Sequence, residues 1–153
     1  MNKSRKKRLK LGDIYEISLP NGKNVYGRLF KECTLAIYKG RYNDVSELPQ
    51  KEEYESYIAV YKYLLQDGEW PIVGNRSFDL DEEAWPPPKV MVDAITKKGS
   101  LYYKGVISGC TYEDCKDLEV VAVWDRVHVI DRLMGNDVWE KLLRRPKDPN
   151  ERA

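Results

Sequence analysis

Two apolar-rich runs, Gly12-Asp13-Ile14-Tyr15-Glu16-Ile17-Ser18-Leu19 and Val25-Tyr26-Gly27-Arg28-Leu29-Phe30, flank the polar stretch Pro20-Asn21-Gly22-Lys23. This pattern predicts a β-hairpin, and Asn21-Gly22 predicts a type I′ turn, because both residues tolerate positive φ. Thr34–Tyr38 continues as a third strand. Lys39–Glu55 is polar and acidic with one proline, and reads as a long loop holding a short helical turn. Tyr57–Leu65, rich in β-branched and aromatic residues, predicts a strand. Asp67-Gly68 then predicts a hairpin turn into Glu69–Gly74, where Pro71 requires an edge position.

The pattern weakens after that point. Asn75–Pro88 ends in Trp85-Pro86-Pro87-Pro88, which excludes regular helix or a central strand and predicts an extended surface path. Lys89–Ala94 and Ser100–Ile107 pair around Lys98-Gly99. Glu113–Asp117 is a polar connection, and Leu118–Trp124 is strand-like. Asp125–Met134 fits either state: Val127-His128-Val129 alternates like a strand, while Ile130, Leu133 and Met134 have helical spacing. Asn136 or Asp137 can cap a terminal helix through Arg145, with Val138, Trp139, Leu142 and Leu143 on one face and Pro146 ending it. The fold class is mainly β (α+β): a curled antiparallel sheet or small barrel with a C-terminal helix over an open end.

At 153 residues the chain fits one domain, with residues 1–10 as a basic flexible arm, 11–146 as the β-rich unit and 147–153 as a flexible tail. The net charge of +1 conceals a segregation. Lys3, Arg5, Lys6, Lys7, Arg8 and Lys10 crowd the start, whereas acids gather in Asp44–Glu55, Asp79–Glu83 and Glu113–Glu119. No apolar run approaches the roughly 18 residues of a membrane span, and the basic start leads into no signal-peptide core. An odd set of cysteines, Cys33, Cys110 and Cys115, argues against a secreted disulfide framework. A cytoplasmic location with reduced thiols is expected.

Candidate chemistry is sparse. His128 is the only histidine, and its apolar neighbours predict a structural role rather than a nucleophile–base pair. Cys33, Cys110, Cys115 and His128 supply the residue types of a Cys₃His zinc site, but only Cys110 and Cys115 are closely spaced, so buried cysteines are expected instead. Asp79, Asp81, Glu82 and Glu83 resemble part of a calcium loop, yet that motif needs a glycine at its sixth position and a bidentate glutamate at its twelfth, whereas the acids here run into Pro86, Pro87 and Pro88. No phosphate-binding glycine motif occurs, and nothing selects a catalytic pair among 25 acids. The expectation is a binding protein with no enzymatic activity, no cofactor and no metal. Its preferred surface is Asp79, Asp81, Glu82, Glu83 and Trp85, with the aromatic residue as anchor and the carboxylates as steering charge. The competing structural role for Trp85 is to plug the sheet's edge.

Gly12-Asp13, Ile17, Leu19, Gly22, Gly27-Arg28, Tyr38, Trp70-x-Ile72-x-Gly74 and the prolines at 86–88 resemble the immunity protein 26 family of bacterial polymorphic toxin systems, over Leu11 to about Leu133. The resemblance implies a small cytosolic protein that binds and neutralises a cognate toxin, and it carries no catalytic residues. A carboxylate-rich surface suits a basic nuclease cleft. The alternative is a small β-barrel nucleic-acid-binding module using Lys3–Lys10 on phosphates, and a structural or regulatory partner protein is a third reading.

Overall fold

The computed structural model describes residues 8–151, so seven residues of the expected basic arm lie outside the described residues. Of its remainder, Leu9 packs against the main core. Five antiparallel strands form the larger sheet: β1 (Asp13–Ser18), β2 (Asn24–Phe30), β3 (Thr34–Tyr38), β4 (Tyr54–Ala59) and β5 (Ile72–Asn75), in the order β4-β3-β2-β1-β5. Strands β6 (Lys89–Val92), β7 (Gly99–Tyr103) and β8 (Val106–Gly109) form a second sheet in sequence order. The fold is mainly β, as the pattern predicts. Its two sheets do not close into a barrel.

Successive side chains of a strand point to opposite faces, and both faces of the large sheet are covered. On one face Tyr15, Ile17, Val25, Leu29, Leu35, Ile37 and Ile58 meet Leu64, Leu65, Trp70 and Trp124. Two residues of helix α2 (Arg126–Leu133), Val129 and Leu133, complete that core. On the other face Ile14, Tyr26 and Tyr38 pack with Leu48 from the long loop. Arg28 faces the same way, since it lies between Gly27 and Leu29 on β2, and this places the site described below.

The opening hairpin has the predicted strands but a different turn. Pro20 fixes the first turn position near φ −65°, so only Gly22 (φ 84°) is left-handed, and Gly22 N donates to Leu19 O at 3.0 Å. The result is a type I turn with a bulge, not type I′. A two-residue turn with both φ values positive occurs instead at Lys104 (53°) and Gly105 (78°), splitting the predicted Ser100–Ile107 strand into β7 and β8.

The predicted Tyr57–Leu65 strand is shifted. β4 begins at Tyr54 and ends at Ala59, and Lys62–Leu65 is a 3₁₀ turn. Leu64 and Leu65 are adjacent and both buried, which a strand with alternating faces could not achieve on a single core. Asp67-Gly68 therefore joins no hairpin: β5 pairs with β1, and Glu16 N donates to Pro71 O at 2.9 Å. β5 is an edge strand, as Pro71 requires. The long loop contains the expected helical turn, at Val45–Glu47, and Asn75–Pro88 contains a 3₁₀ turn at Asp81–Ala84 within an otherwise irregular path.

Leu118–Trp124 forms no sheet strand but stitches the two sheets together. Val90 N donates to Glu119 O and Val121 N to Val90 O, both at 2.9 Å, and Trp124 N donates to Ala59 O at 2.8 Å. The ambiguous segment after it is helical, because Asp125 caps Arg126 N at 2.8 Å and the i, i+4 pair Val129 and Leu133 reaches the core. A short helix, α1 (Tyr112–Cys115), precedes the stitch. The terminal helix, α3 (Val138–Leu142), is shorter than predicted, and Val138 and Leu142 are exposed while Trp139 and Leu143 pack inward. α2 supplies the buried residues over the large sheet, and α3 adds Trp139 at the margin of the same core.

Candidate functional site

Arg28 rises from the middle of the large sheet, with its side chain only 9% exposed. Its Nε donates to Arg76 O (2.8 Å), Nη2 to Ser77 O (3.0 Å) and Nη1 to the Tyr54 hydroxyl (3.1 Å). The guanidinium also lies 3.8 Å from the centre of the Phe78 ring. One sheet residue thus fixes the backbone and first aromatic of the segment that leads into the acidic turn. Glu52 completes the network: it accepts from Tyr54 at 2.6 Å and from Arg76 Nη1 at 3.1 Å, and lies 3.8 Å from Arg28.

Phe30, Tyr54, Tyr57 and Phe78 surround this network in edge-on contacts, with Phe30 and Phe78 ring centres 4.9 Å apart. Together with Asp79, Glu83 and Trp85 they line an open cleft of about 670 Å³. Burial pushes the Glu52 carboxyl upward, but hydrogen bonds from Tyr54 and Arg76 and the charge of Arg28 overcome it and hold Glu52 below its ordinary value. Burial, then the Glu52 carboxylate, pushes Tyr54 up to about 12.

This linkage has a testable sign. A carboxyl depressed in the folded state contributes stability above its unfolded value of 4.5, and the contribution is lost as pH falls through the folded value. Urea unfolding from neutral to acid pH should therefore show a steeper loss for the wild type than for Glu52→Gln, which is less stable at neutral pH and converges with it in acid. Parallel curves would show that Glu52 is not held ionised by its neighbours.

The five residues singled out by sequence divide into different roles. Asp81 pairs with Lys31 at 2.7 Å and Glu82 with Lys104, while Glu83 accepts from Leu80 N at 2.9 Å and so closes the start of the 3₁₀ turn. Asp79 is exposed and makes no ion pair or hydrogen bond among the described residues. The half-buried Trp85 ring lies under Lys31 Nζ, 4.9 Å from its centre. Ala84 O accepts from Lys31 N at 2.9 Å, anchoring the turn to the end of β2. Asp79, Glu83 and Trp85 share the cleft; Asp81 and Glu82 point to flanking lysines. Sequence reasoning missed Arg28, Glu52, Tyr54, Arg76 and Phe78 as a unit, and the only signal was Arg28, an arginine inside a run otherwise fit for a core.

The other candidate chemistries are dispersed. His128 accepts from Asp125 N at 3.4 Å through Nδ1 and packs on Trp139, as part of the α2 cap. Cys33 lies in the β2–β3 turn at φ 51° and is half-buried rather than buried. Cys110 and Cys115 lie together in the small core under the second sheet, and burial followed by the neighbouring Cys110 pushes the Cys115 thiol up to about 11. Among the described residues no three of histidine, cysteine and acid gather as a metal ion would require, and no helix is long and apolar enough to cross a membrane.

Comparison with curated proteins and with solved structures found no match. A sequence model of the family described as Immunity protein 26 matches residues 10–101, which span the large sheet, the cleft, the acidic turn and the first strand and a half of the second sheet. That stretch contains Gly12, Arg28 and the Arg76–Phe78 segment they hold, and the chain belongs to the Immunity protein 26 family.

Proposed function

We propose that this chain is a non-catalytic immunity protein of a bacterial polymorphic toxin system, acting in the cytoplasm by binding a cognate toxin domain and covering its active surface. Membership of the Immunity protein 26 family over residues 10–101 carries the reading. The unit responsible is the single β-rich domain of residues 11–146. Asp79, Asp81, Glu82, Glu83 and Trp85 form the toxin-facing surface. Support comes from the way this surface is prepared: Lys31, Lys104 and the Leu80 amide hold three of the carboxylates, so little conformational freedom is lost on docking. Trp85 offers a half-buried aromatic anchor beside an open cleft, and Asp79 offers an unpaired charge. A carboxylate-rich patch of this kind fits a basic phosphate-binding cleft, which favours a nuclease as the toxin.

Co-expression with the toxin encoded beside it tests the reading, with rescue of growth and a measured Kd as outputs. Trp85→Ala should weaken binding by about 2 kcal/mol, roughly 30-fold, mainly through faster dissociation. Asp79→Lys should slow association and flatten its salt dependence. A wild-type protein that neither binds nor rescues would sink the proposal.

A further inference from the structure

β8 is the outer strand of the second sheet, and all four of its residues are exposed, Val106 by 63% and Ile107 by 59%. Proteins usually blunt such an edge by keeping it very short or with a charge, a proline or a bulge, and of these β8 has only its length of four residues. Val106-Ile107-Ser108-Gly109 has neither charge nor proline, and its register with β7 runs unshifted from Tyr103↔Val106 to Ser100↔Gly109. Among the described residues, no backbone hydrogen bond joins Val106–Gly109 to any segment other than β7. Alternate residues of an edge strand turn N–H and C=O outward. With the Tyr103/Val106 pair closing the two-residue turn, the outward pair is Ile107 and Gly109.

The hairpin is fastened to the acidic surface. Lys104 at its tip pairs with Glu82, and the Tyr102 hydroxyl donates to Glu32. The open edge therefore starts beside Asp79–Trp85, where Asp79, Asp81, Glu82 and Glu83 outnumber Lys31 and Lys104. We infer that an extended segment of the cognate toxin adds to β8 as a fourth strand, with basic flanking residues that pass the acidic turn. Main-chain hydrogen bonds to Ile107 and Gly109 supply adhesion, and the acidic turn supplies orientation and charge selection. This rests on the immunity reading and names the backbone of the partner as what is recognised.

Hydrogen exchange of the wild-type protein with and without the neighbouring toxin domain tests it directly. The Ile107 and Gly109 amides should slow at least tenfold in the complex. Ile107→Pro, which removes an outward N–H from an edge strand, should keep the wild-type melting curve and weaken toxin binding roughly tenfold or more, whereas Ile107→Ala, which keeps the N–H, should bind within about threefold of wild type. If the wild type does not bind the toxin domain, the immunity reading fails and this inference falls with it. If it binds while both amides exchange as fast as in the free protein, strand addition is overturned and the immunity reading stands. Protection that grows with protein concentration alone, accompanied by a dimer in sedimentation, would assign the edge to a second copy of this chain and also overturn the inference.

Discussion

Replacing Arg28 with Met is expected to lower stability by about 3 kcal/mol, roughly 10 °C in Tm, and to release the Arg76–Trp85 segment before the sheet itself opens. Methionine fills most of the volume of the arginine stem, so the loss is one of hydrogen bonds rather than of packing. The carbonyls of Arg76 and Ser77 and the Tyr54 hydroxyl lose their donor, and the Phe78 ring loses the cation 3.8 Å from its centre. Glu52 keeps Arg76 and Tyr54 as partners, which limits the cost of removing the nearby positive charge. Removing a buried cation also recovers part of its desolvation penalty, and this keeps the net effect near 3 kcal/mol rather than above it. Arg28→Lys restores the charge but not the planar fork that reaches three acceptors, so it should recover less than half of the loss. Urea unfolding gives the magnitude, and faster exchange of amides between Phe78 and Trp85 gives the location. Unchanged stability with unchanged exchange would mean that the acidic turn is held by Lys31 and Lys104 alone.

How much of this was legible in the sequence depends on how far apart the interacting residues lie. β1, β2 and β3 follow one another in sequence and in the sheet, so each strand's neighbour is the next run along the chain. The turn signal at Asp67-Gly68 points β5 to the wrong partner, because Ile72–Asn75 carries nothing local to distinguish β1 from β4 as its neighbour. The choice is made by burial of Trp70 and by Pro71 O meeting Glu16 N. The two adjacent buried leucines at 64 and 65 did carry a local signal for a tight turn, and β-branched content upstream masked it. Asp125–Met134 was undecidable by period alone; the cap at Asp125 and the core contacts of Val129 and Leu133 decide it. The acids from Asp79 to Glu83 were visible as composition. What tethers them was not, because Arg28, Glu52 and Arg76 are separated by more than twenty residues each and meet only when the sheet has formed.

Gly12 holds the other side of the same carbonyl, and Gly12→Ala is expected to cost about 3 kcal/mol. Its φ of 88° is left-handed, and a Cβ built there would stand 2.5 Å from Arg76 O, a distance no side chain tolerates. The carbonyl cannot retreat freely, since Arg28 Nε binds it at 2.8 Å and Arg76 N donates to Gly12 O at 2.9 Å. Gly105→Ala separates the two causes. Gly105 has a similar φ of 78° but nothing within 4 Å of its built Cβ, so the alanine variant should lose only about 1 kcal/mol through backbone strain. The excess at Gly12 then measures the clash with Arg76. Because Gly12 and Arg28 act on one carbonyl, the double variant Gly12→Ala with Arg28→Met should cost clearly less than the sum of the single variants: once the carbonyl has shifted, the guanidinium has little left to hold. Strict additivity in urea unfolding would instead mean that the two residues support separate parts of the structure, and that the Arg76–Trp85 segment is positioned by one of them without the other.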